Sequence, residues 1–139
     1  MFRHILVPTD LTERSVKAME IAVEMAAHDA SKVTLLHVIE TIEDAEDEDF
    51  AGFYRKLEKR AEKFMSGIIR QYQDRNPAIG KEIVYGRRVA DILKFAGERG
   101  VDLIVLSSHR IERDNMLQGW GTISYKVGLL ADCPVMLVK

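Results

Sequence analysis

Five short apolar runs, separated by stretches of helical periodicity, leave this chain few folds to adopt. The runs are Ile5 to Val7, Val33 to Val38, Glu82 to Tyr85, Leu103 to Leu106 and Val135 to Val138. Strands that alternate with helices assemble into a parallel sheet covered on both faces. Between the first two runs, Val16, Met19, Val23 and Ala26 recur at helical spacing after a polar start from Thr12 to Ser15. Phe50, Phe53, Tyr54, Leu57, Ala61, Phe64, Met65, Ile68, Ile69 and Tyr72 sustain a second, longer helical stripe. Val89, Ile92, Leu93 and Ala96 mark a third helix, stopped by Gly100 at the left-handed capping position. A fourth runs from Thr122 to Ala131, with Ile123, Val127 and Leu130 on one face.

Each strand, helix, strand unit of a parallel sheet crosses over right-handedly, so we expect an α/β fold with a five-stranded parallel sheet in the order 3-2-1-4-5 and helices on both faces. In that order the chain winds one way from strand one and the other way from strand four. A crevice then opens between their carboxyl ends, and ligand contacts are expected just after strands one, two and four.

With 139 residues, 47% of them hydrophobic, the chain is long enough for one core and short for two, so residues 1–139 read as a single domain. A net charge of −2 exerts no broad pull on nucleic acid or lipid headgroups, and no stretch reaches membrane-spanning length. Neither nucleic acid nor membrane is an expected partner. The opening MFRHILVPTD lacks the apolar core and cleavage site of an export signal, and the lone Cys133 can form no internal disulfide. We therefore expect a cytoplasmic protein with Cys133 as a small buried hydrophobe. The segment from Glu40 to Asp49 carries seven carboxylates and no cation. It reads as a solvated loop, and beside the crevice its charge opposes a triphosphate within the roughly 8 Å screening length at physiological salt.

Pro8, Thr9 and Asp10 end strand one, while Leu106, Ser107, His109 and Arg110 end strand four, which makes all of them candidate ligand contacts. Asp10 can accept hydrogen bonds from a ribose or an adenine amine. With Glu13 three positions on, it equally fits a helix N-cap or capping box, and the two roles are compatible. Gly121, Thr122, Ile123 and Ser124 open the fourth helix, whose unpaired N–H groups and positive dipole end suit an anion. The competing assignment has Gly119 and Gly121 turn the loop while Thr122 caps the helix. Trp120 either stacks on a base or packs against the sheet. Arg87, Arg88, Arg110 and Arg113 follow strands three and four, with solvent exposure as their default role and a place at the crevice mouth as the alternative for some of them. His37 and His109 each end a strand without metal-ligand spacing around them, so no metal site is expected.

Enzyme signatures of this architecture are missing: there is no GxxxxGK[ST] loop, no GxGxxG after strand one and no GxSxG elbow. A phosphoacceptor domain would carry an aspartate where Tyr85 and Gly86 stand, and an ATP-cleaving synthetase relative would carry a glycine- and serine-rich turn where Pro8, Thr9, Asp10 and Leu11 stand. Nothing pairs a nucleophile with a base, so no catalytic residue is assigned.

The segments HILVPTD, LLHVIE, VDLIVLSSH and GWGTISYKVGLLADCPVMLVK together resemble the universal stress protein family over essentially the whole length. The resemblance implies a flavodoxin-like sheet of the adenine nucleotide alpha hydrolase type and a homodimer in which Val135 to Val138 pairs antiparallel with its copy. It also implies a stress-response regulator or interaction module whose protein partner is unnamed. In ATP-binding members the ends of strands one and two hold adenine and ribose, which places those roles on Pro8, Thr9, Asp10 and Val38. The phosphates of those members rest on a glycine-rich loop. Here Ser107 and Arg110 occupy two of its glycine positions, and one extra residue precedes Gly121 and Thr122. Arg110 then either clamps a phosphate with its planar fork or fills the pocket and excludes the nucleotide. The resemblance thus leaves a module that requires no cofactor, with an adenine-nucleotide regulator (ATP or AMP) as the alternative and slow ATP hydrolysis as the most that catalysis could amount to.

Overall fold

The computed structural model describes residues 1–42, 50–75, 78–108 and 122–139. In chain order the elements are β1 (His4–Pro8), α1 (Arg14–Asp29), β2 (Lys32–Glu40), α2 (Ala51–Tyr72), β3 (Ile79–Gly86), α3 (Arg88–Glu98), β4 (Leu103–Ser107), α4 (Ile123–Leu130) and β5 (Val135–Val138). Every strand pairing is parallel and the order is β3-β2-β1-β4-β5, as expected.

β1 sits at the centre and is buried from end to end. Its alternating side chains enter two separate cores. Ile5 and Val7 join Val33, Leu35, Leu103 and Val105 beneath Met19 and Val23 of α1 and Met65 and Ile68 of α2. On the opposite face, Leu6 joins Leu36, Val38, Ile104 and Leu106 beneath Ile92 and Phe95 of α3 and Val127 of α4. Each fully buried aliphatic side chain contributes about 1.5–3 kcal/mol, so these two layers carry most of the driving force.

α3 ends as the sequence predicts. Gly100 adopts φ +65°, and the Val101 N–H donates to the Ala96 carbonyl at 3.0 Å, closing a Schellman motif. Three expectations need correction. β3 begins at Ile79 rather than Glu82, because backbone pairing from Val33↔Ile79 onward extends an edge strand whose side chains are only half-buried and carry little apolar signal. The α4 side packed on the second core follows buried Val127 with half-buried Ile123 and the C-cap residue Ala131, at i, i+4 and i+8, which leaves Leu130 61% exposed. Cys133 is half-buried at the rim of the second core, and burial pushes its thiol pKa up.

The amino ends of the strands are tied together by polar groups. Both Asp102 carboxylate oxygens accept from the Arg3 N–H, at 3.1 and 2.9 Å, and Oδ1 also accepts from the His4 N–H at 3.0 Å. The His4 ring bridges the Thr34 hydroxyl at 2.7 Å and the Arg99 carbonyl at 3.1 Å. Burial tends to raise the Asp102 pKa, but the backbone N–H donors outweigh it and hold the carboxyl below its usual range.

Candidate functional site

At the carboxyl end of β1 the chain must turn at once toward α1, and short side chains hold that turn. Leu11 is left-handed, at φ +64°, a conformation that costs a side-chain-bearing residue roughly 1–2 kcal/mol. Its N–H donates to the Thr9 hydroxyl at 3.0 Å, while Asp10 Oδ1 accepts from the Thr12 N–H at 3.0 Å and the Thr12 hydroxyl at 2.5 Å. Asp10 therefore closes an Asx-type turn and does not cap α1. The N-cap position belongs to Glu13, whose side chain makes no capping bond. Asp10 itself is exposed, and its Oδ2 has no partner among the described residues.

Thr9 is committed to the scaffold. Its N–H donates to the Leu36 carbonyl at 2.8 Å, its hydroxyl donates to Ser15 Oγ at 2.7 Å, and its carbonyl accepts from His37 Nδ1 at 2.8 Å. Burial lowers the His37 pKa, an effect the Thr9 hydrogen bond opposes and the nearby Arg88 charge reinforces. The ring donates through Nδ1–H and pins the β1 turn to β2.

Opposite this turn, α4 opens with Thr122 at its N-cap, where the hydroxyl accepts from the Tyr125 N–H at 3.3 Å. Ser124 Oγ lies 3.2 Å from the Thr122 hydroxyl and 3.4 Å from that of Ser108, and Ser108 in turn receives Lys139 Nζ at 3.4 Å. Thr122 thus caps the helix and also belongs to a hydroxyl cluster.

Between these edges lies a cavity of about 310 Å³ lined by Pro8, Thr9, Asp10, Val38, Leu106, Ser107, Thr122, Ile123 and Ser124, together with Arg88 and Ile92. The structure brings together every sequence-predicted site residue that it describes. The remaining candidates, His109, Arg110 and Gly121, lie outside the described residues, as do Arg113, Gly119 and Trp120. Arg88 is one of the arginines expected near the crevice mouth, whereas Ile92 is a residue for which the sequence suggests only a place in the helical stripe. A signal existed: a helix that follows β3 also starts at the carboxyl edge, and α3 crosses to β4 over this face. Gly86 sets that start. A Cβ there would lie 2.1 Å from Asp91 Oδ2, the oxygen that accepts the Arg87 N–H at 2.7 Å to open α3.

The cavity has an apolar part formed by Pro8, Val38, Ile92, Leu106 and Ile123, and polar groups of three kinds. A carboxylate (Asp10), a guanidinium (Arg88) and hydroxyls (Ser107, Thr122, Ser124) converge on it, a composition typical of small-molecule sites. Among the described residues, no three His, Cys, Asp or Glu side chains cluster as metal ligands.

The universal stress protein family model matches residues 1–139. The chain belongs to the universal stress protein family. Universal stress protein YxiE of Bacillus subtilis is 28% identical, with all of both chains covered. Universal stress protein MJ0577 of Methanocaldococcus jannaschii is also 28% identical, over 100% of this chain and 96% of its own. The solved MJ0577 structure superposes with a TM-score of 0.82 at 30% identity, over 100% of this chain and 96% of that one. The Archaeoglobus fulgidus universal stress protein solved in complex with dAMP shares the fold, with a TM-score of 0.71 at 21% identity over 99% of this chain and 98% of that one. Among the described residues, no helix of this family member is long and apolar enough to cross a membrane.

Proposed function

We propose that this universal stress protein is a ligand-responsive regulator whose cavity between β1 and β4 binds an adenine nucleoside monophosphate. One observation carries the reading: an apolar slot and three kinds of polar group, drawn from β1, β2, β4, α3 and α4, converge on one cavity of about 310 Å³. That volume lies at the lower end of the roughly 300–1,000 Å³ range of small-molecule sites. The A. fulgidus complex with dAMP supports the same ligand class. Asp10 Oδ2 accepts from the sugar or the base amine, and Val38, Ile92 and Ile123 enclose the base. The chemistry proposed is recognition; among the described residues that line the cavity none pairs as nucleophile and base.

The output surface is the β5 edge. Met136 and Leu137 are 37% and 40% exposed on a sheet-edge strand, and antiparallel pairing with a second copy covers both the apolar side chains and the open backbone groups. The free Cys133 is in keeping with a reducing, cytoplasmic setting.

Two measurements test this. Freshly purified protein is denatured and its supernatant analysed for nucleotide by mass spectrometry, and unfolding is followed with AMP, dAMP and ATP. We expect recovered monophosphate, or a stabilisation of about 2.7 kcal/mol at a hundredfold excess of AMP over its Kd. No released nucleotide together with no shift for any of the three overturns the reading. For the dimer, sedimentation is expected to show a two-chain species that Leu137→Glu converts to one chain, and a monomeric parent chain contradicts it.

A further inference from the structure

Away from the cavity, α2 carries the most one-sided charge of the described helices. It holds six cations, Arg55, Lys56, Lys59, Arg60, Lys63 and Arg70, against two carboxylates, Glu58 and Glu62, so it is +4 in a chain of net −2. The rest of the chain therefore sums to −6. One stripe of α2, formed by Ala61, Met65, Ile68 and Tyr72, is buried where the helix packs on β2 and β3. Arg55, Lys59, Lys63 and Arg70 fall within about 80° of one another on the side turned away from that stripe, where they line one groove along the helix. β3 and β5 are the two edges of the sheet, so this groove and the β5 edge lie at opposite ends of the molecule.

Both carboxylates of the groove are already committed to the sheet. The Tyr85 hydroxyl of β3 donates to Glu58 Oε2 at 2.5 Å, while Lys81 of β3 pairs with Glu62 and donates to Ser66 Oγ at 2.7 Å. The four cations are exposed, and none has an ion pair or side-chain hydrogen bond among the described residues. Like charges at i, i+4 spacing repel one another along a helix, and an anionic partner removes that repulsion. Arg55, Lys59 and Lys63 recur at intervals of about 6 Å of helix rise, the interval at which a second helix presents carboxylates at i, i+4 and i+8. The whole row spans only about 22 Å. A long polyanion or a flat anionic surface would reach past it to the net negative remainder of the chain, whereas a short acidic helix would not.

We propose that the face of α2 bearing Arg55, Lys59, Lys63 and Arg70 is a docking surface for an acidic helical segment of another protein. Arg55, Lys59 and Lys63 pair with successive carboxylates on one face of that segment, and Arg70 extends the contact toward the end of α2. Attraction between exposed charges is screened by salt, so this docking is strongest at low ionic strength and reversible. The inference is independent of what the cavity binds.

The test uses the full chain and a labelled peptide of about 18 residues, long enough to form a helix, with glutamates at i, i+4, i+8 and i+12 among neutral helix formers. A control peptide has the same composition with its glutamates spread around the helix. Fluorescence anisotropy is read at low and at physiological salt for the parent chain, Lys59→Glu and Lys94→Glu. The two variants change the net charge equally, but Lys94 is exposed on α3, outside the groove. We expect the aligned peptide to bind at low salt and to weaken at physiological salt, with Lys59→Glu costing about tenfold and Lys94→Glu less than about twofold. The control peptide should bind at least about fivefold more weakly than the aligned one. Equal losses in the two variants, equal binding of the two peptides, or no binding at low salt overturns the proposal. Tighter binding of an oligothymidylate, or of phosphatidylcholine vesicles containing phosphatidylserine, overturns the acidic-protein assignment. So does a parent chain that sediments as a species larger than two copies and that Lys59→Glu disperses, since another copy then fills the groove.

Discussion

The two ends of the sheet are built from the same kinds of side chain and use them in opposite ways. At the amino ends, His4, Thr34 and Asp102 satisfy one another and the adjacent backbone, and the His4 ring has both nitrogens engaged. At the carboxyl ends, Asp10 keeps Oδ2 open, Arg88 uses only its Nε, and the Ser107 hydroxyl, unlike the Ser107 backbone, makes no hydrogen bond among the described residues. A closed polar network at a partly buried edge fixes strand register, because leaving a buried member such as His4 or Thr34 unpaired costs that member its desolvation. An open network at a solvated edge forgoes that stability and retains the capacity to bind a ligand.

This contrast is most sharply tested at its closed end. Asp102→Ala should destabilise the chain by about 2 kcal/mol in urea unfolding, since it leaves the Arg3 and His4 N–H groups without an acceptor. It should leave AMP affinity unchanged; a loss below about 0.5 kcal/mol would show that the amino edge is as loosely committed as the carboxyl edge. Next in size, Thr122→Ala removes the α4 cap and should cost about 1 kcal/mol by the same measurement. Thr122→Ser should restore most of it, and failure to do so would mean the hydroxyl is not the cap.

Asp10→Ala inverts the pattern. We expect a stability change near 0.5 kcal/mol, the scale of an exposed substitution, together with roughly tenfold weaker AMP binding by calorimetry. A large stability loss with intact binding would reassign Asp10 to the scaffold. The smallest expected effect is the pH response of His37. Its pKa is lowered in the folded chain, so below its ordinary value of 6.5 the unfolded chain takes up a proton that the folded chain resists. Stability from this group is therefore complete above that pH and declines as pH falls from 7 toward 5. Urea midpoints across that range should flatten in His37→Gln, and an unchanged slope would place the titration elsewhere.

Much of this architecture is legible in the residues, and so is most of the cavity lining. Apolar runs at Ile5, Val33, Leu103 and Val135 specify strands by composition alone, and the crossover rule turns them into an order with one crevice. Pro8, Thr9, Asp10 and Ser107 follow from that order because they terminate the strands that border the crevice. β3 was read short because an edge strand is held by backbone hydrogen bonds, which leave no trace in side-chain type. Leu130 was placed inward because a short helix gives few positions from which to fix its rotation.

Local sequence was enough to dictate which segments become strands and helices, since periodicity and burial act on neighbouring residues. The division of labour among the polar side chains came from packing in three dimensions. Thr9 and Asp10 are adjacent and similar in size, yet one is buried in scaffold hydrogen bonds and the other faces the cavity. Arg88 looks like any surface arginine until Gly86 and Asp91 set the start of α3 beside β2. A group's available hydrogen-bonding capacity depends on which distant residues the fold brings to it, and no pattern along the chain encodes those distances.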